Sequence, residues 1–327
     1  MLQDNHGRTI NYLRLAVTDR CNLRCFYCMP ESGIKYVNRK DLLTFEEMER
    51  LLLIFSQLGI HKLRITGGEP FVRTGIMEFL EGISNIDGIH QIHITTNGTL
   101  TKDKVDTLSR LGIRSVNLSL DSLDRQRFFE ITRRDEFDKV MGTFYRLLES
   151  DIKVKINMVV MEGRNIDDIH PMVELTRDHD VSVRFIEEMP FNGTAGQGNT
   201  TLWPMPKILD HIGTRYPNIE KQPDPPFSTS VNYRIPDFRG SIGVIAAYTR
   251  TFCGTCNRIR ITPQGTLRTC LYGNGILNFR DALRSGASDQ EITTLLKKAL
   301  GQRARDGFEA ERNRKSEVSE SMATIGG

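Results

Sequence analysis

Over a series of short stretches of the chain, apolar and polar residues alternate one by one; between these stretches the apolar residues recur every three or four positions. Leu13, Leu15 and Val17 alternate with Arg14, Ala16 and Thr18; Leu63 and Ile65 with Arg64 and Thr66; Ile92 and Ile94 with His93 and Thr95; Val116, Leu118 and Leu120 with Asn117, Ser119 and Asp121; Val154, Ile156 and Met158 with Lys155 and Asn157. Period two places each set on its own face of a strand, which predicts strands at 13–18, 62–66, 91–96, 115–120, 153–161 and 182–189. Phe45, Met48, Leu51, Leu52, Phe55 and Leu58 form one stripe of a helix over 45–58, opened by a capping box of Thr44 and Glu47 and stopped at Gly59. Further helices are expected after Thr101, ending at Gly112, and at 136–149 and 167–179. Six β-then-α units in series give a parallel sheet with right-handed crossovers. Eight units close a barrel; six predict an α/β fold, a partial (βα)6 TIM-like barrel.

Helices must cover the apolar strand faces, so the polar faces point into the barrel. An ordinary barrel is filled with branched apolar side chains. A polar interior implies a lumen for a polar ligand, and Arg14, Arg64 and Lys155 make it anion-binding. An antiparallel sheet with one wet face is the alternative, against which the intervening helices argue. The barrel takes residues 1–190. From 191 to 312 the chain is first rich in Gly, Pro, Asn and Thr, with the single Trp203, and is expected to wrap and close the barrel as loop and short helix. Residues 313–327 read as a flexible polar tail ending in Gly326-Gly327.

The chain has 327 residues, 39% of them apolar and 26% charged. A net charge of +3 with interspersed signs gives no nucleic-acid footprint. No apolar run approaches the roughly 20 residues of a membrane helix, and the polar N-terminus has no signal core, so the expected location is cytoplasmic. The six cysteines fall into two triplets, Cys21, Cys25, Cys28 and Cys253, Cys256, Cys270. Clustered thiols in such a chain point to metal or redox chemistry rather than disulfides.

Cys21-x3-Cys25-x2-Cys28 follows the first strand, at the end of a parallel barrel where ligands bind. Three thiolates leave one iron of a [4Fe–4S] cluster open. Zinc, which usually wants four ligands, remains the alternative for either triplet. Gly67-Gly68-Glu69-Pro70 follows the second strand; its glycines allow close approach of a ligand, and its carbonyls and Glu69 can accept bonds from an ammonium group. Together with Tyr27 before the last thiol, these two elements resemble the signature of the radical S-adenosylmethionine (SAM) superfamily.

The second triplet is also incomplete, and Asn257-Arg258-Ile259-Arg260-Ile261 between its ligands puts Arg258 and Arg260 on one side, suited to a triphosphate or guanine. Cys253-Gly-Thr-Cys-Asn-Arg-Ile-Arg260 with Cys270, the opening Leu13–Asn22, Arg64–Pro70, Thr95-Thr96-Asn97-Gly98, Ser119-Leu120-Asp121, Arg184-Phe185-Ile186-Glu187 and the Gly-Gly end closely resemble the GTP 3′,8-cyclase family. The resemblance implies two [4Fe–4S] clusters on the six cysteines. It implies SAM contacts from Tyr27, Gly68, Ser119 and Met189, the last through its backbone at the strand end. GTP contacts would come from Arg14, Arg64, Thr95, Lys155, Arg258 and Arg260. It further implies the activity: reductive cleavage of SAM gives a 5′-deoxyadenosyl radical that takes hydrogen from C3′ of GTP, and C3′ then bonds to C8 of the guanine. The product, 3′,8-cyclo-7,8-dihydro-GTP, opens molybdenum cofactor biosynthesis and passes to cyclic pyranopterin monophosphate synthase. A flavodoxin- or ferredoxin-type electron donor is implied, a homodimer is admitted, and Gly326 and Gly327 would enter the active site for the radical step. Two rivals predict otherwise: a peptide-modifying radical SAM enzyme needs more C-terminal cysteines and no Arg258 or Arg260, and a non-catalytic zinc protein would not cleave SAM.

Overall fold

A computed structural model describes residues 1–30, 33–189, 203–314 and 321–325. All six predicted strands form: β1 (Tyr12–Ala16), β2 (Lys62–Thr66), β3 (Gln91–Thr96), β4 (Ser115–Ser119), β5 (Lys153–Val160) and β6 (Val181–Glu187). They pair in parallel in chain order. The crossovers are α1 (Phe45–Gln57), α2 (Ile76–Ser84), α3 (Val105–Arg110), the tandem α4 (Arg125–Thr132) and α5 (Phe137–Leu148), and α6 (Ile169–Asp178). In the capping box of α1, the Thr44 hydroxyl accepts from Glu47 N at 3.2 Å while the Glu47 carboxylate accepts from Thr44 N at 2.8 Å. The helix stops where Gly59 takes φ of +97°, a conformation cheap only for glycine.

The sheet continues past these strands on both edges. Where loop and short helix were expected, the chain builds α7 (Met205–Arg215), β7 (Glu220–Lys221), β8 (Ser230–Arg234) and β9 (Ser241–Ile245). β9 runs parallel to β6, and β8 returns antiparallel to it. On the other edge β10 (Arg258–Ile261) runs parallel to β1, followed by β11 (Thr266–Arg268) and β12 (Leu277–Asn278). The order is β12-β11-β10-β1-β2-β3-β4-β5-β6-β9-β8-β7. Residues 246–257 therefore leave one side of the β1–β6 sheet and enter the other, carrying Cys253 and Cys256 across the barrel's open side.

Leu13, Leu63, Ile94, Val116, Leu118, Ile156, Val183 and Phe185 are fully buried on the outer face, in one core with Phe55, Phe79, Leu108, Phe144 and Val173 from the helices. Each such side chain contributes about 1.5–3 kcal/mol, and this packing fixes the opposite face as the lumen wall. After α8 (Phe279–Arg284) and α9 (Asp289–Leu300), α10 (Gly307–Arg312) leads towards the C-terminus. The end of the chain departs from the flexible tail expected from 313 on: α11 (Met322–Ile325) is packed, with Ile325 2% exposed against Tyr272 and Ala310. Its apolar Met322, Ala323 and Ile325 supply a hydrophobic face within a stretch that is polar on average. Gly326 and Gly327 lie outside the described residues. No helix among the described residues is long and apolar enough to cross a membrane.

Candidate active site

The lumen opens into a cavity of about 480 Å³. Both cysteine triplets line it, together with the inward faces of the strands. The first triplet lies on a loop that begins just past β1. Cys28 N and Met29 N both donate to Cys25 O, at 3.0 and 2.9 Å, making a tight turn. Arg24 N and Phe26 N donate to Thr132 O and Ile131 O, which ties the loop to the end of α4. Tyr27 donates its hydroxyl to Asp121 Oδ2 at 2.7 Å, and Asp121 also accepts from Val159 N at 2.8 Å. Burial pushes the Asp121 carboxyl up to about 6 despite these bonds.

The glycine turn after β2 presses against this loop. A Cβ on Gly68 would meet Arg20 O at 2.3 Å, and one on Gly67, at φ +151°, would meet Thr18 O at 2.5 Å. Both glycines line the cavity. Glu69 does not do what the sequence suggested. Its carboxylate is fully buried behind the turn and accepts from Asn97 N at 2.7 Å, Thr96 Oγ1 at 2.8 Å and Phe71 N at 3.2 Å. With its oxygens engaged, it fastens the ends of β2 and β3 instead of meeting an ammonium group. Ser119, in register with Asn157, also lines the cavity. Met189 stands beyond the end of β6, so strand alternation does not apply to it; its sulfur accepts from the Tyr272 hydroxyl at 3.1 Å. Met189 is among the residues that line the cavity.

The cations gather on the β1 side. Arg14 is in register with Arg260 on one neighbour and Arg64 on the other. Tyr12 is likewise flanked by Arg258 and Lys62. Arg64, 5% exposed, donates to the Tyr12 hydroxyl at 2.6 Å and to Thr95 Oγ1 at 3.1 Å. Excess positive charge acts on several titratable groups here. Burial, then Arg260, hold Arg14 well below the usual guanidinium range. Burial and then Arg184 and Arg64 bring Lys155 down to about 7. His93 falls to about 2 through burial and Arg64. Burial acts to raise Tyr12, yet Arg64 and Arg14 pull it to about 8. A wall of this kind is built for a polyanion. Arg184, Lys62 and His93 belong to it as well. Sequence reasoning did not name Arg184 or Lys62 as site residues, although the alternation that found Arg64 and Lys155 puts them on the same face.

None of the six cysteines is in a disulfide. Burial and then Glu69 push Cys21 up to about 12, and burial and then Asp121 hold Cys25 well above the usual thiol range. Cys28, Cys253 and Cys270 are raised by burial too. Such thiols are poor nucleophiles and lose their protons to a bound metal. Cys256 alone is held low: burial acts to raise it, but the Arg303 and Arg258 guanidiniums outweigh that. Two three-thiol sets lining one cavity fit iron–sulfur clusters that each keep one iron for a ligand.

A partial barrel with a thiol triplet behind its first strand and a tight glycine turn behind its second defines a radical SAM protein. Residues 15–176 match the Radical SAM superfamily, and residues 181–308 match Molybdenum Cofactor Synthesis C. The chain is 42% identical to GTP 3′,8-cyclase of Syntrophomonas wolfei over 89% of its own length and 90% of that protein's. It is 41% identical to molybdenum cofactor biosynthesis protein 1 of Dictyostelium discoideum over 92% of this chain, and there it spans only 48% of the relative's length. Streptococcus suis SuiB bound to S-adenosylmethionine shares the fold, with a TM-score of 0.62 at 15% identity over 87% of this chain and 68% of SuiB. The chain belongs to the GTP 3′,8-cyclase family of the radical SAM superfamily.

Proposed function

We propose that the protein is a GTP 3′,8-cyclase, converting GTP to 3′,8-cyclo-7,8-dihydro-GTP at the start of molybdenum cofactor biosynthesis. One observation carries this reading: both thiol triplets and a wall of cations line a single cavity. Cys21, Cys25 and Cys28 would hold one [4Fe–4S] cluster with its open iron towards SAM; Cys253, Cys256 and Cys270 would hold a second. With SAM bound at the first triplet, that site would supply the electron, taken from an external reductant, for reductive cleavage of SAM to methionine and a 5′-deoxyadenosyl radical, whose target would be the hydrogen on C3′ of GTP.

The chain's own residues bind, orient and exclude water. Tyr27, Gly68, Ser119 and Met189 contact SAM; the Asp121 carboxylate fixes Tyr27 against the loop. Arg14, Arg64, Lys155, Arg258 and Arg260 neutralise the triphosphate, with Thr95 beside Arg64. Binding energy from the triphosphate holds the ribose and base in one pose, which is where positioning accelerates a reaction. The enclosing wall keeps water and bystander groups from a reactive primary radical. Gly326 and Gly327 would complete the pocket: α11 brings the chain to the cavity, where Met322 and Ala323 form part of the lining. A flavodoxin- or ferredoxin-type protein donates the electron, cyclic pyranopterin monophosphate synthase takes the product, and the enzyme works in the cytoplasm.

The test is SAM cleavage by the anaerobically reconstituted protein with dithionite. Formation of 5′-deoxyadenosine that is stimulated by GTP and not by ATP is the expected result. Cleavage indifferent to the nucleotide would remove GTP as substrate.

A further inference from the structure

A buried charge network braces the second triplet. Asp4, with no side-chain exposure, pairs with two arginines: Arg8 Nε at 2.6 Å and Arg303 Nη1 at 3.1 Å. The Arg303 side chain is 3% exposed. Its Nη2 donates to Cys256 Sγ at 3.1 Å and to Arg258 O at 3.1 Å, and its Nη1 to Cys256 O at 3.0 Å. Arg8 reaches Cys253 O at 3.1 Å. One carboxylate against two guanidiniums leaves an excess positive charge, shielded from solvent, on the segment that carries two of the three thiols.

The sulfurs of the first triplet have neutral polar neighbours instead. The Asn97 amide lies 3.6 Å from Cys21 Sγ and the Ser321 hydroxyl 3.9 Å from Cys28 Sγ. The Arg24 guanidinium reaches the Cys21 carbonyl at 2.6 Å rather than its sulfur, and the Asp121 carboxylate is held beside the loop by the Tyr27 hydroxyl at 2.7 Å.

We propose that Arg303 is a positioning residue for the second iron–sulfur cluster, and that its bond to Cys256 Sγ sets that cluster's reduction potential above the potential of the first. The inference rests on the two-cluster reading above. Reduction adds negative charge to a cluster. A buried cation donating a hydrogen bond to a ligating sulfur stabilises that added charge, and the low dielectric of a buried site strengthens the effect. Carboxylates beside the first triplet act in the opposite sense. The second cluster is then reduced first, and the electron added next, to the first cluster where SAM binds, is the more strongly reducing one. Asp4 moderates the effect by cancelling one guanidinium, while the Cys256 and Arg258 carbonyls hold the Arg303 fork on the sulfur.

The experiment is an EPR-monitored redox titration of the anaerobically reconstituted protein, with iron and sulfide content measured on each sample. Arg303→Gln lowers the potential of the second cluster and leaves that of the first in place. Arg303→Lys, which keeps the charge, retains more of the native value. Asp4→Asn, which removes the cancelling carboxylate, moves it upward. Both clusters present with unmoved potentials in R303Q and D4N would overturn the proposal. If R303Q fails to retain its second cluster, D4N decides: an upward shift supports the proposal, and no shift or a downward one overturns it. A native protein that takes up a single cluster overturns the two-cluster reading and this inference with it, and that shows in its iron content before any variant is made.

Discussion

The cation wall makes GTP binding depend on pH in a direction and size that follow from Lys155. In the free protein, burial together with Arg184, Arg64 and Lys62 holds this lysine down to about 7. A bound triphosphate reverses that electrostatic bias, so the complex keeps Lys155 protonated at pH values where the free protein has lost the proton. Below 7 the group is charged in both states and adds no pH dependence. Above 7, binding must draw a proton from solvent, at about 1.4 kcal/mol per pH unit. For a group at about 7, the unprotonated population grows enough between pH 7.5 and 9 to weaken binding about 24-fold. Tyr12, which Arg64 and Arg14 pull to about 8 against the effect of burial, ionises in the same window and deepens the fall. The terminal phosphate, with a second pKa of about 6, stays ionised throughout. Titration calorimetry of GTP into the reconstituted protein, in two buffers of different ionisation enthalpy, reads both affinity and proton uptake. Uptake of more than one proton per GTP at pH 9 is expected, nearly one from Lys155 and the rest from Tyr12, and Lys155→Arg should flatten the profile. Affinity unchanged from pH 7.5 to 9, with no proton taken up, would refute the reasoning.

Three further outcomes are expected. Cys270→Ser halves the iron and sulfide bound while SAM cleavage persists and GTP turnover is lost; retention of full iron content would show that the second triplet holds no cluster. Gly68→Ala sets a Cβ against the backbone of Arg20, which cannot swing aside; the overpacked turn costs about 1–3 kcal/mol, and SAM affinity measured by equilibrium dialysis falls at least tenfold, an unchanged affinity being the contrary result. Deletion of Gly326 and Gly327 leaves cluster content and GTP affinity intact and abolishes cyclisation, and full turnover by the truncated enzyme would remove the tail from the mechanism.

The barrel was legible because its strands alternate strictly. β2 and β3 match the expected bounds, and the inward phase of Arg14, Arg64 and Lys155 was readable from period two alone. The helix pattern is weaker where no side-chain cap marks a start: α2 begins after Gly75 with no capping bond, and no bounds were expected for it. The C-terminal strands were illegible for another reason. β9 and β10 are short, and their partners β6 and β1 lie far away in sequence, so only the folded sheet shows that 246–257 bridges its two edges. Composition misled at α11, where three apolar residues inside a polar stretch are enough to dock it. Glu69 was named for its chemistry, but its burial and its bond to Asn97 N, 28 positions on, depend on how β2 and β3 pair. Arg303 carries no motif; its contact with Cys256 spans 47 positions and exists only once α9 has packed.

The central claim is that one cavity brings a SAM-derived radical to the ribose of GTP. The most direct measurement uses GTP deuterated at C3′, with the anaerobically reconstituted protein, SAM and dithionite, and follows the label by mass spectrometry. Deuterium appearing in 5′-deoxyadenosine as GTP is consumed is the predicted result. SAM cleavage in which the 5′-deoxyadenosine carries no deuterium, from a preparation with both clusters intact, would contradict it.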